Sequence, residues 1–265
     1  MNGRQKLHVM PIRSLIPNML TVLALCAGMT AIRYAISERW EAAVWAIFLA
    51  GFLDSIDGRV ARLLKGTTRF GAELDSLSDV VSFGVAPAVV LYLWVMQGLH
   101  SLGWVVCLVY AVCCALRLAR FNMSLGENAV VKAVSSNFFL GVPAPMGAGL
   151  VLWPMVLSFQ FEDEIFRNPL WVGPYIAFVS FLLVSRIQTF SFKRVRIHPD
   201  LVLPTLILVC LFAAVLTVYP WGTISMVGVA YLCCIPFSMR AAALIRHQSA
   251  ANPEKATAES NDIPV

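Results

Sequence analysis

Two apolar runs, Ala42 to Leu53 and Val80 to Met96, flank a segment that carries four aspartates. Asp54 and Asp57 stand at i, i+3, and Asp75 and Asp79 at i, i+4, so each pair shares one face if its segment is helical. A single Asp at the centre of a membrane helix costs about 2.5–3.5 kcal/mol. Four at one depth persist only if something cationic neutralises them, and hard divalent cations bridging to phosphate meet that need. The plain alternative is a solvated helical hairpin in which the aspartates pair with Arg59, Arg62, Lys65 and Arg69. One Asp-x-x-Asp would favour that reading. Two pairs, with Gly58, Ala61 and Gly71 between them, do not.

Composition sets the class. Of the 265 residues 59% are hydrophobic and 13% charged, against about a quarter charged in soluble domains. Lipid-facing backbone must be hydrogen-bonded within its own segment. The expected fold is therefore all-α, a polytopic membrane bundle of about eight transmembrane helices. These are placed near 16–36, 41–63, 71–97, 102–121, 138–159, 170–186, 201–218 and 221–240. Pro17-Asn18 is expected to open the first helix. Lys65 to Thr68 is a polar turn, and 122–136 a longer polar loop. Residues 1–15 form a basic amino-terminal segment, 16–240 the transmembrane domain, and 241–265 a polar tail expected to be disordered. The apolar run after Arg13 reads as a membrane helix rather than a cleavable signal peptide. The seven cysteines lack Cys-x-x-Cys spacing and read as small core residues. No basic block is interleaved with aromatics, so nucleic acid is not an expected partner.

With eight spans, only Arg33, Arg39 and Arg167 of the 20 Lys and Arg fall on the side opposite the amino terminus. The positive-inside rule then puts both termini and the aspartate cluster in the cytoplasm.

The residues support a definite chemistry. Asp54, Asp57 and Asp75 can offer carboxylate oxygens from two helices to one or two divalent ions that clamp a pyrophosphate. Asp79 can accept a proton from an incoming hydroxyl or help hold a second ion. Gly58 and Ala61 leave room for a nucleotide, although taken alone both favour the plainer reading of small-residue helix packing. Arg62 suits a phosphate or a neighbouring carboxylate.

The pattern Asp-x2-Asp-Gly-x2-Ala-Arg-x8-Gly-x3-Asp-x3-Asp is matched at Asp54, Asp57, Gly58, Ala61, Arg62, Gly71, Asp75 and Asp79. In this the chain resembles the CDP-alcohol phosphotransferases. The resemblance implies transfer of a phosphoryl-alcohol group from a CDP-linked donor to a second alcohol, with release of CMP. It implies metal ligation by Asp54, Asp57 and Asp75, with Asp79 as base and further ligand, and Mg²⁺ or Mn²⁺ as the metal, in two ions. It places Gly58 and Arg62 on the nucleotide diphosphate, and adds a hydroxyl from Thr68 or Thr67. It also puts Asn18 and Thr21 near the cytidine, with N-capping the plain alternative for Asn18. Gly71, a fixed position of the motif, and Ala61 are expected with them among the residues that hold the CDP-linked donor.

Ser82 to Ala88, Arg117 to Asn122, Phe139 to Pro145 and Ser185 to Lys193 extend the resemblance over most of residues 14–195, toward the branch that joins CDP-diacylglycerol to L-serine. Gln188 departs from it where Pro is expected. That branch implies a bacterial inner-membrane enzyme, among membrane lipids, that forms a homodimer. Serine carries a carboxylate and an ammonium, so Arg117, Arg120, Asn122, Lys132 and Asn137 are its candidate contacts. Glycerol 3-phosphate or inositol is the alternative acceptor. A cation-coupled transporter is the reading from another class, but transport favours acids at mid-bilayer and an internal repeat, and neither is seen.

Overall fold

The computed structural model describes residues 12–64, 66, 68–125, 138–140, 142–161, 164–185, 188–190 and 202–234. They fall into two compact units, Met1–Leu118 and Ala119–Val265.

In the first unit α1 (Ile12–Ile36) and α2 (Trp40–Leu63) lie along each other. The sequence dictates the closeness. Thr21, Ala24, Gly28, Ala31 and Ala35 recur at alternating steps of three and four, and all are buried. On α2 the same spacing runs through Ala43, Ile47 and Ala50 and continues into Asp54 and Asp57. Small side chains let backbones approach, which is how membrane helices associate when water supplies no hydrophobic drive. The aspartates thus prolong a helix-packing seam.

α3 (Arg69–Asp79) lies on α1 through Ser78, whose hydroxyl donates to the Thr21 carbonyl at 3.2 Å. One step on, Ser82 donates to the Ala24 carbonyl at 3.3 Å. Gly28 makes the approach possible, since a Cβ there would stand 2.8 Å from Ser82 Cα. The helix expected over 71–97 runs without interruption from Arg69 to Trp94 but is not regular. After Asp79 come a π-helical segment, Val80–Val85, then α4 (Ala86–Trp94) and a 3₁₀ turn, Met96–Leu99. Pro87 is the reason. It has no N–H to offer the Phe83 carbonyl, its α-helical partner, and the buried Tyr110 hydroxyl donates to that carbonyl instead, at 2.8 Å. Tyr110 belongs to α5 (His100–Leu125), which runs on into the second unit.

The second unit repeats the device. α6 (Ala144–Val151) and α7 (Trp153–Phe161) bend by 41°. Pro154 withholds the N–H that would meet the Leu150 carbonyl, and the Tyr175 hydroxyl donates to it at 2.9 Å. Tyr175 lies on α8 (Pro169–Val184), which is capped by Asn168 and followed by α9 (Val202–Val218) and α10 (Pro220–Cys234).

Several expectations need correction. Helix five was expected from 138, but 138–140 pairs antiparallel with 188–190, Phe138 opposite Phe190, and the helix begins at Ala144. Pro143 biases Val142 away from helical backbone, and Pro145 suits the first turn of the helix that follows. The regular structure of the described residues is therefore helical apart from this one short pair, and Gln188 sits in it. Pro17 does not open α1, which starts at Ile12. α5 extends to Leu125, into the expected loop. Residues 1–11, 126–137 and 235–265 lie outside the described residues.

Among the described residues three helical stretches are long and apolar enough to cross a membrane: Leu15–Ile36, Arg69–Trp94 and Met96–Met123. The bent α6–α7 pair makes a fourth if it is one span. α2 is equally long, but the charges of the site itself, Asp54 and Asp57 with Arg59 and Arg62, dilute its hydropathy. These are the elements of a helical membrane protein.

Substituting Gly28 by Leu is expected to cost about 1–3 kcal/mol through overpacking, read as a lower unfolding midpoint in detergent. Gly58→Ala has no atom within 4 Å to meet and should hold the midpoint or raise it.

Candidate active site

Where the α1–α2 seam ends, three carboxylates converge. Oxygens of Asp54, Asp57 and Asp75 all lie within 4.8 Å of one another. Asp57 is only 4% exposed, which removes the solvated-hairpin reading. Its Oδ2 accepts a hydrogen bond from the Thr21 hydroxyl at 2.8 Å, and that hydroxyl also lies 3.1 Å from the Pro17 carbonyl. Asp75 Oδ1 is buried and has no hydrogen-bond partner. Asp79 is not among the convergent three. Its carboxyl reaches Asp54 and, when protonated, donates a hydrogen bond to it.

A buried carboxylate oxygen without a donor is costly to leave unmet. Three carboxylates that repel one another in a low-dielectric setting add to that cost. A divalent cation with oxygen ligands relieves both, so the donor set fits the metal that the sequence implies.

Beside the trio opens a cleft of about 180 Å³. It is lined by Asn18, Thr21, Gly58, Ala61, Thr68 and Gly71 together with Asp57 and Asp75. Six of the seven residues expected to hold the CDP-linked donor thus line one cleft. Pro17, Gly66 and Ala72 line it too and were not singled out. Their only sequence signal is small or rigid residues beside motif positions.

Local structure explains several of these placements. Thr68 is the N-cap of α3, its hydroxyl accepting from the Gly71 N–H at 3.0 Å. A Cβ on Gly71 would stand 2.7 Å from Asn18 Oδ1, so any larger residue there has to turn the Asn18 carboxamide aside. Asn18 lies well inside α1 and caps nothing, which corrects the N-cap alternative. Gly58 packs against no atom within 4 Å, which corrects the helix-packing reading for that residue. Arg62 stands outside the cleft lining, and its Nε donates to the Gly58 carbonyl at 3.0 Å.

Of the proposed acceptor contacts, Arg117 is in the first unit. It lies one turn beyond Cys114 on α5, and the Cys114 thiol is within electrostatic reach of both Arg117 and Asp79. Arg120 and Asn122 belong to the second unit. Arg120 donates to the Val184 carbonyl at the end of α8, at 3.1 Å. Lys132, Asn137, Lys65 and Thr67 lie outside the described residues.

Fold and site define a class: a helical membrane protein with a carboxylate centre whose donor set fits a divalent metal, at the edge of a small-residue cleft. The chain belongs to the CDP-alcohol phosphatidyltransferase family, whose model matches residues 14–183. A second model, CDP-alcohol phosphatidyltransferase 2, matches residues 200–236. Members of the family generally use divalent metals. Curated relatives named CDP-diacylglycerol–serine O-phosphatidyltransferase are similar over most of the chain. That of Mycobacterium tuberculosis (strain ATCC 25618 / H37Rv) is 40% identical over 226 residues, 85% of this chain and 78% of the relative. That of Helicobacter pylori (strain J99 / ATCC 700824) is 35% identical over 84% of this chain and 91% of its own. That of Bacillus subtilis (strain 168) is 34% identical over 179 residues, 68% of this chain and 92% of its own.

Because Thr21 orients a carboxylate of the trio, Thr21→Val should lower metal affinity by about 10- to 100-fold, as loss of an outer-shell partner does. Mn²⁺ titration of the purified protein checks this.

Proposed function

We propose that the chain is a phosphatidylserine synthase, transferring the phosphatidyl group of CDP-diacylglycerol to the hydroxyl of L-serine and releasing CMP. The observation that carries the reaction is the trio Asp54, Asp57 and Asp75 beside a cleft walled by Asn18, Gly58 and Ala61. The acceptor rests on the names of the relatives.

Asp54, Asp57 and Asp75 would hold the metal, Mg²⁺ or Mn²⁺, in two ions with Asp79 as a further ligand. Bound there, the metal supplies neutralisation of the pyrophosphate and of the charge that grows on departing CMP. The protein does the rest. Thr21 fixes the Asp57 carboxylate. Gly58 and Ala61 present a wall without bulk, against which the nucleotide lies with Asn18, Thr68 and Gly71 at its far side. Arg62, held at the Gly58 carbonyl through Nε, keeps its remaining donors for a phosphate oxygen.

Asp79 takes the proton of the serine hydroxyl. The serine oxygen then forms a bond to the phosphorus that carries diacylglycerol, and the bond from that phosphorus to the CMP oxygen breaks in line. No covalent bond to the enzyme forms. Arg117 is the acceptor contact that the geometry favours, being on the α5 face that leads to Asp79. Arg120, Asn122, Lys132 and Asn137 complete the proposed set.

The enzyme is further proposed to cross the bacterial inner membrane eight times, with both termini and the site on the cytoplasmic face, and to work as a homodimer.

The test is CMP release by detergent-purified protein given CDP-diacylglycerol and Mn²⁺ or Mg²⁺. L-serine, glycerol 3-phosphate and inositol are supplied separately. Turnover is expected with serine alone, abolished by chelation and reduced by about 100-fold or more in Asp79→Asn, as for loss of a general base. Turnover with a different alcohol would overturn the acceptor. None with any, in folded protein, would overturn the reaction.

A further inference from the structure

The π turn that follows Asp79 is held from outside its own helix. Pro87 ends two hydrogen-bond patterns at once, because its N–H would meet the Phe83 carbonyl in an α-helix and the Ser82 carbonyl in a π-helix. Just before it the Ala86 N–H reaches back five residues to the Val81 carbonyl. The widened turn then rests on one face of α5. Tyr110, fully buried, donates its hydroxyl proton to the Phe83 carbonyl at 2.8 Å. Gly84 lies so near that a Cβ would stand 3.3 Å from Cys114 Cβ and 3.6 Å from the Ala111 carbonyl.

A π turn holds one residue more than an α turn, so forming or losing it rotates one flank against the other by about 100°. Asp79 is the last residue of α3 before that turn, and its carboxyl must face Asp54 on another helix. Rotation of α3 is the variable that decides whether it does.

We propose that Tyr110 is a positioning residue for the transfer reaction. Its hydrogen bond to Phe83 holds the π turn of Val80–Val85 and so sets the direction in which Asp79 faces the other three aspartates. The proposal rests on the reaction assigned above. Tyr175 makes the corresponding bond in the second unit, which holds none of the four aspartates, and serves as the comparison for a bond that only supports the fold.

The experiment compares full-length wild type, Tyr110→Phe, Pro87→Ala and Tyr175→Phe. It measures kcat per folded enzyme, KM for CDP-diacylglycerol and the unfolding midpoint in detergent. Tyr110→Phe should lower kcat by about 10- to 100-fold, the effect of a misplaced catalytic group, with KM changed by less than about two-fold. Pro87→Ala separates positioning from support. It returns the missing N–H and favours regular helix, so its midpoint should hold or rise while kcat still falls. Tyr175→Phe should lower the midpoint and leave kcat per folded enzyme unchanged. If Tyr110→Phe does not fold, Pro87→Ala decides alone. Wild-type kcat in folded Pro87→Ala, or a loss in Tyr110→Phe matched by Tyr175→Phe, would overturn the proposal. Absence of turnover in the wild type would strike the assigned reaction instead.

Discussion

The close approach of α1 to α2 and α3 is the constraint on which the remainder depends. Thr21, Ala24, Gly28, Ala31 and Ala35 form a buried strip without bulk on α1, Ala43, Ile47 and Ala50 form another on α2, and Ser78 of α3 and Ser82 of the π turn dock on the Thr21 and Ala24 carbonyls. Packing this tight leaves the carboxylates at the end of the seam little freedom to separate. At 4.8 Å or less, two like charges repel by about 3 kcal/mol or more at an effective dielectric near 20. Helix packing therefore stores an electrostatic demand at one spot, and a divalent cation answers it. Fold and chemistry share a single seam: its apolar length holds the helices together, and its last turns hold the site.

A second principle shapes the helix that carries Asp75 and Asp79. In lipid, a carbonyl freed by proline has no water to turn to. Twice a tyrosine supplies the donor, the fully buried Tyr110 to Phe83 and the part-buried Tyr175 to Leu150. The carbonyls that Pro87 and Pro154 leave without a helical partner are thereby met. Next to Asp79 the π turn also sets an angle, which a straight helix would leave to the register of α3 alone.

Much of this was legible in the sequence, and the failures are instructive. The aspartate spacing pointed to the carboxylate centre because burying so many acids is costly enough to leave a single reading. Asn18, Thr21 and Gly71 were placed in the cleft through family resemblance, and the structure supplies the local reason for each. Gly58 and Gly71 look alike in the sequence. Only packing shows that one faces open space while the other lies against the Asn18 side chain. The π turn was not read from the sequence, where a regular helix was expected over 71–97: Pro87 stands in that helix, but the side chain that answers the carbonyl it frees lies on α5, 23 residues further on at Tyr110. Asn18 read as a cap because Pro17 beside it suits a first turn. The helix begins one turn and more earlier, and proline sits inside it. The strand at 138–140 was hidden for a different reason: its partner at 188–190 is distant in sequence, and three apolar residues read equally as helix.

The measurement that bears most directly on the central claim is an electron paramagnetic resonance titration of Mn²⁺ into the detergent-purified protein, run on wild type, Asp57→Asn and Asp75→Asn. The account predicts saturable Mn²⁺ binding by the wild type that either substitution abolishes while the protein stays folded. Equal binding by all three proteins, or none by the wild type, would contradict a metal centre at the end of the seam.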